Sequence, residues 1–179
     1  MVRAWKLETV GTFLMTLLTA CILDARVDHP GQPDPVETRL RTGDSASATL
    51  LKDAMRRSST VRELATHIEA SNLLVSVTVS NDPGKWRGNT RLVSSGGGFR
   101  RVAVRISVSL APDDQIAVLG HELQHVCELA DAPNVTDAQT MAQLFQRIGD
   151  PGNRAGDRYE TAAAQTVERR VREEVWRVR

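Results

Sequence analysis

The stretch that decides the reading of this chain runs from Arg101 to Ala130, RVAVRISVSLAPDDQIAVLGHELQHVCELA. In its first part Val102, Val104, Ile106, Val108 and Leu110 alternate with Arg101, Ala103, Arg105, Ser107 and Ser109. A period of two puts the apolar side chains on one face of a strand and the polar ones on the other. Pro112 then stands where a first-turn residue has no N–H to lose, and Asp113 and Asp114 follow near the positive end of a helix. From there the period is helical. Leu119, Leu123, Val126, Cys127 and Ala130 make an apolar stripe that ends before Pro133. This predicts a strand leading into an amphipathic helix whose stripe packs on the sheet.

Working outward, Leu73, Val75, Val77 and Val79 alternate with Ser76 and Thr78 and predict a second half-buried strand. Asn81-Asp82-Pro83-Gly84 reads as a turn, Arg91 to Ser94 as a short strand, and Gly96-Gly97-Gly98 as a tip. Two helices are expected before the strands. One carries Leu50, Leu51, Ala54 and Met55; the other opens on Thr60-Val61-Arg62-Glu63, a capping-box pattern, and buries Val61, Leu64, Ala65 and Ile68. Beyond Pro133 a helix from about Asp137 to Ile148 stops at Gly149-Asp150-Pro151-Gly152, and a last helix covers roughly Asp157 to Val178. The expected fold class is α+β: N-terminal helices, a small antiparallel sheet, then the helix of 112–130 and C-terminal helices.

The 179 residues, 41% hydrophobic and 25% charged, suit one globular domain. A formal charge of +1 points to no nucleic-acid partner. The N-terminal residues differ from the rest. Arg3 and Lys6 precede an apolar run from Thr12 to Ala20, too short for a membrane span but suited to a secretory signal. Its end, Leu18-Thr19-Ala20-Cys21, resembles the bacterial lipoprotein lipobox, which implies cleavage before Cys21 and acylation of that cysteine. Ordinary secretion and a first buried helix are the other readings. On the lipoprotein reading residues 1–20 are a signal peptide, and 21–45, rich in Pro, Gly, Asp and Arg, hold the lipidated cysteine and a flexible tether. The domain proper is then 46–179, in the cell envelope and bound to the membrane through Cys21. Cys127 is the only other cysteine, so no disulfide framework is expected.

Within the decisive helix, His121-Glu122-Leu123-Gln124-His125 is an HExxH pattern. Residues four apart share one helical face, so both imidazoles can reach one ion, and zinc accepts imidazole nitrogen readily. Glu122 lies one step round, close enough to take a proton from a metal-activated water without being a ligand. Two surface histidines on an amphipathic helix are the plainer alternative. A catalytic zinc needs a third protein ligand and an open position. Asp131 completes H-E-x-x-H-x-x-E-x-x-D, which resembles the metzincin signature, but Glu128 stands where that signature requires glycine. Glu160 is the favoured candidate. On a helix it shares a face with Ala164, Val167, Val171 and Val175, so its carboxylate needs a buried partner, either a metal or an arginine. Cys127 falls in the apolar stripe and reads as a buried thiol.

Over roughly residues 59 to 179 the chain therefore resembles the gluzincins, metallopeptidases with HExxH on one helix and a glutamate ligand on a later one, and among them the minimal gluzincins. The resemblance implies a zincin-like fold, Zn2+ held by His121, His125 and Glu160, Glu122 as general base, and hydrolysis of a peptide or protein substrate. It also implies that the strand Val102 to Leu110 is the edge that holds an extended peptide. The chain departs from the family at Ala164, where many members carry an acid that orients a zinc-bound histidine. After Glu160 it also lacks the His or Tyr that many members use at the oxyanion; Tyr159 is the only tyrosine. The competing function is a non-catalytic, zinc-binding envelope lipoprotein that serves as a binding or structural module.

Overall fold

Strand β1 (Leu40–Thr42) runs parallel to β2 (Leu73–Ser80), with Leu40 beside Val75, because two helices carry the chain back between them. These are α1 (Ser45–Arg57) and α2 (Ser59–Glu69). Strands β3 (Gly88–Gly96) and β4 (Phe99–Ser107) form an antiparallel hairpin closed by Gly97 and Gly98, whose φ of 61° and 80° lies in the left-handed region. The hairpin places β4 beside β2, parallel to it, and leaves β3 at the edge, in the order β1-β2-β4-β3. After the sheet come α3 (Pro112–Ala130), α4 (Ala138–Ile148) and α5 (Ala162–Arg177). This computed structural model describes residues 38–81, 86–150 and 160–177. The expected signal segment, Cys21, most of the tether, Asp82-Pro83-Gly84, Pro151-Gly152, Tyr159 and the expected helix start at Asp157 lie outside the described residues.

The fold class is α+β, as expected, but the sheet is mixed rather than antiparallel. Alternation along a strand says which face is buried; it carries no information about the direction of the neighbour. The deciding pair is β2 with β4, parallel because the hairpin sets β4 rather than β3 beside β2; β1, three residues inside the stretch expected to be tether and too short to show a period, adds a second parallel pair. The structured chain therefore begins ahead of Ala46. Helix α2 also starts differently from the expected capping box. Ser58 is its N-cap, accepting from the Val61 N–H at 3.0 Å, while Thr60 turns its hydroxyl to Glu174.

The helices occupy one face of the sheet. Val75 and Val77 of β2, Val102, Val104 and Ile106 of β4 and Leu92 of β3 are buried against Leu50, Ala54, Val61, Leu64, Ile68, Ile116, Leu119, Leu123 and Val126. Burying a side chain of this kind is worth about 1.5–3 kcal/mol, so this layer holds the fold. The expected stripe on α3 lies in it. Helix α3 is buried on its other side too, because α5 crosses close to it: a Cβ at Gly120 would meet Val171 Cγ2 at 2.8 Å. The far end of α3 is held by the buried Arg100. Its guanidinium donates to the carbonyls of Leu129, Ala132 and Val135 at 2.8, 2.9 and 3.2 Å, where a cation also favours a helix C-terminus.

Candidate metal centre

Helix α3 brings His121 and His125 one turn apart, with their Nε2 atoms 3.2 Å from each other. Glu160 reaches them from the chain just ahead of α5, its Oε2 3.0 Å from His121 Nε2. The three ligand atoms lie within 4.8 Å of one another, so this group is able to hold a metal ion. Glu160 does not head the α5 stripe as expected, because α5 begins at Ala162. Thr161 accepts from the Ala164 N–H at 3.1 Å, in the manner of an N-cap, and Glu160 is one residue outside it. The stripe itself holds, with Ala164, Val171 and Val175 buried.

Each histidine is backed by a carboxylate that residue patterns did not reveal. Glu128 Oε2 accepts from His125 Nδ1 at 2.8 Å, and its other oxygen accepts from Thr161 Oγ1 at 2.7 Å. Glu128 thus ties the second histidine to the residue next to Glu160. In the sequence Glu128 shows only as the residue that bars a metzincin turn. Glu168 Oε2 lies 3.3 Å from His121 Nδ1, an ion-pair distance without hydrogen-bond geometry, which leaves that buried nitrogen without a hydrogen-bond partner. Arg87 and Arg172 each donate to Glu168 Oε1 at 2.8 Å. Glu168 lies one helical turn after Ala164 and is the carboxylate nearest His121 Nδ1. The signal was present: Glu168 interrupts the same apolar stripe that drew attention to Glu160.

With Nδ1 of His125 donating to a carboxylate, its Nε2 carries a lone pair, aimed at His121 Nε2 and the acidic Glu160. Such a cluster of acceptors needs a cation. Burial pulls the His121 pKa down, but the contacts with Glu160 and Glu168 outweigh it and raise it to about 10. Those contacts with His121 hold Glu160 below its ordinary range and bring Glu168 to about 2. A tetrahedral zinc with bonds of about 2.0–2.1 Å needs ligand atoms about 3.3 Å apart. Two of the three separations, 3.2 and 3.0 Å, are close to this, and all three ligand atoms lie within 4.8 Å of one another, so these residues could hold such an ion.

Glu122 sits beside the cluster and not in it. Its Oε2 accepts from Thr90 Oγ1 of β3 at 2.7 Å, and burial raises its pKa against the pull of His125 and the Thr90 hydrogen bond. Gly88 makes room for it, since a Cβ there would lie 2.5 Å from Glu122 Oε1. A cleft of about 440 Å³ opens over these groups, bounded by β3 and by Met141 and Phe145 of α4. The Phe145 ring stands edge-on to His125 with centroids 5.2 Å apart.

Asp131 is not brought to the cluster. Helix α3 runs straight through Glu128, and Asp131 projects at the surface, 2.8 Å from His67 Nε2. Cys127 is a buried free thiol, its pKa pushed up by burial to about 12. Comparison with protein-family models, curated proteins and solved structures gave no significant match.

Proposed function

We propose that this chain is a zinc-dependent peptidase of the gluzincin kind, exported and held at the membrane by a lipid on Cys21. The observation that carries the catalytic part is the convergence of His121 Nε2, His125 Nε2 and Glu160 Oε2, each histidine backed by its own carboxylate, with Glu122 alongside. Orientation of metal-binding histidines by carboxylates is what a built metal site requires.

Zinc bound by the two histidines and Glu160 supplies a Lewis acid that acidifies water and polarises a carbonyl oxygen. Glu122 takes the proton of the attacking water and delivers it to the leaving amine as the C–N bond breaks. Burial raises its pKa, which suits a carboxylate that must both accept and return a proton. Thr90 and Gly88 set its position from β3. The outer edge of β3 offers backbone groups to an extended peptide. Strand β4, to which the family resemblance assigned that part, lies inside the sheet and has no free edge.

The test is metal content and hydrolysis together. Purified protein is expected to hold zinc, to lose it on His121→Ala or His125→Ala, and to keep it on Glu122→Gln while losing peptide cleavage. Protein that folds in excess zinc and stays metal-free rules out the centre. Zinc retained with no cleavage across a broad peptide library favours the binding-module reading.

A further inference from the structure

The four strands contain no aspartate or glutamate and five arginines: Arg41, Arg91, Arg100, Arg101 and Arg105. Arg100 alone is buried, on the helix-bearing side. The register puts the other four on the opposite face. Arg91 is beside Ala103, Arg101 beside Leu74 and Ser94, Arg105 beside Thr78 and Asn89, and Arg41 beside Ser76. Arg91 is therefore diagonal to both Arg101 and Arg105, at about 7–8 Å between backbones for such neighbours. All three are exposed, and among the described residues none of them makes an ion pair. At the end of this face Arg39 lies over the Phe99 ring, 4.6 Å from its centroid, which adds a further cation.

Like charges this close repel one another unless an anion lies over them. The side chains between these arginines are neutral, and the cleft beside Arg105, Asn89 and Trp86 has only about 180 Å³, less than the roughly 300 Å³ at which ordinary ligand pockets begin. At its margin the Phe99 ring is covered by Arg39 and the exposed Trp86 lies beside the cleft at Arg105, whereas single-stranded nucleic acid stacks on a succession of open rings. A flat anionic surface asks for neither groove nor ring. Residues 22–37 lead from Cys21 to β1, an outer strand of this same sheet, and one acyl chain with a basic patch makes a stable membrane attachment.

We propose that the bare face of the sheet docks on anionic phospholipid headgroups through Arg91, Arg101 and Arg105, with Arg39 and Arg41 at its margin. The helices and the candidate metal centre lie on the other side of the sheet, clear of the lipid. The proposal rests on the lipid-anchor reading of Cys21 and not on zinc or peptidase activity.

Full-length protein is to be partitioned between buffer and vesicles of pure phosphatidylcholine, or vesicles in which about one-third of the lipid is phosphatidylglycerol. Each basic side chain at such a surface strengthens binding roughly fivefold, so wild type is expected to prefer the anionic vesicles by about a hundredfold at low salt. The preference is expected to vanish at molar salt. R91E/R101E/R105E is expected to lose the preference but keep any attachment to neutral vesicles that the N-terminal residues provide. R91Q/R101Q/R105Q, with its melting temperature measured alongside, is expected to do the same to a smaller degree. Equal partition of wild type to both vesicles overturns the proposal, as does a triple variant that behaves like wild type. Tight, arginine-dependent binding to duplex DNA without a vesicle preference overturns it in favour of a nucleic-acid partner.

Discussion

Gly88 and Glu122 are in such close contact that the position of the carboxylate depends on the absence of a side chain. Gly88→Ala places a methyl where Glu122 Oε1 and Val118 Cγ1 now lie, at 2.5 and 2.7 Å. The expected outcome is a fall in kcat of about a hundredfold with zinc content unchanged, because an ångström of misplacement has that effect on a catalytic group. Steady-state kinetics with metal analysis checks it. Glu160 and Asp131 make a second comparison at this scale. Glu160→Ala is expected to weaken zinc binding strongly, whereas Asp131→Ala, which breaks only a surface contact with His67, leaves it unchanged. Competition against a fluorescent chelator separates the two; equal losses would mean that the third ligand is misassigned.

Among the elements, α5 is fastened to the start of α2 by one side chain. Glu174 accepts from the hydroxyls of Ser58, Ser59 and Thr60 at 2.5, 2.9 and 2.8 Å and from the Thr60 N–H at 3.2 Å, at the positive end of α2. Burial works to raise its pKa, but these hydrogen bonds prevail and hold it below the ordinary 4.5. A carboxyl depressed on folding stabilises the protein above its unfolded pKa and ceases to do so as pH falls through the folded value. Glu174→Gln is therefore expected to lower stability by about 2 kcal/mol at neutral pH. The gap to wild type should close progressively below pH 4.5. Urea unfolding of both proteins at pH 7 and pH 3 measures it, and a gap of constant size would assign Glu174 a role in packing alone.

Among the described residues the helices cover one face of the sheet and none packs on the other, and the candidate centre lies where that helix layer meets the β3 edge. Three separate segments complete it: α3, the chain ahead of α5, and β3. Among the described residues no helix is long and apolar enough to cross a membrane. The proposed lipid attachment is at Cys21. Metabolic labelling with a fatty acid is expected to mark the full-length protein, and Cys21→Ser to remove the label. Attachment that persists without label would point to an uncleaved apolar anchor.

Periodicity and motif carried much of this protein openly. The alternation from Val102, the proline and two aspartates that open α3, and the spacing of His121, Glu122 and His125 are local facts, set by backbone geometry within a few residues. The burial stripes of α2, α3 and α5 followed from the same local rule. The direction of β2 against its neighbours did not, since it depends on which strand of the β3–β4 hairpin lies beside β2 and on a three-residue strand without a pattern of its own. Nor did the parts of Glu128, Glu168 and Thr90, each of which acts on a residue distant in the chain or on another element. Glu160 reaches His121 from outside the helix on which its stripe was reckoned. The apolar stripe that follows Glu160 announces that its carboxylate has a partner, but which partner it has is decided only when α5 packs across α3 at Gly120 and β3 closes over Glu122.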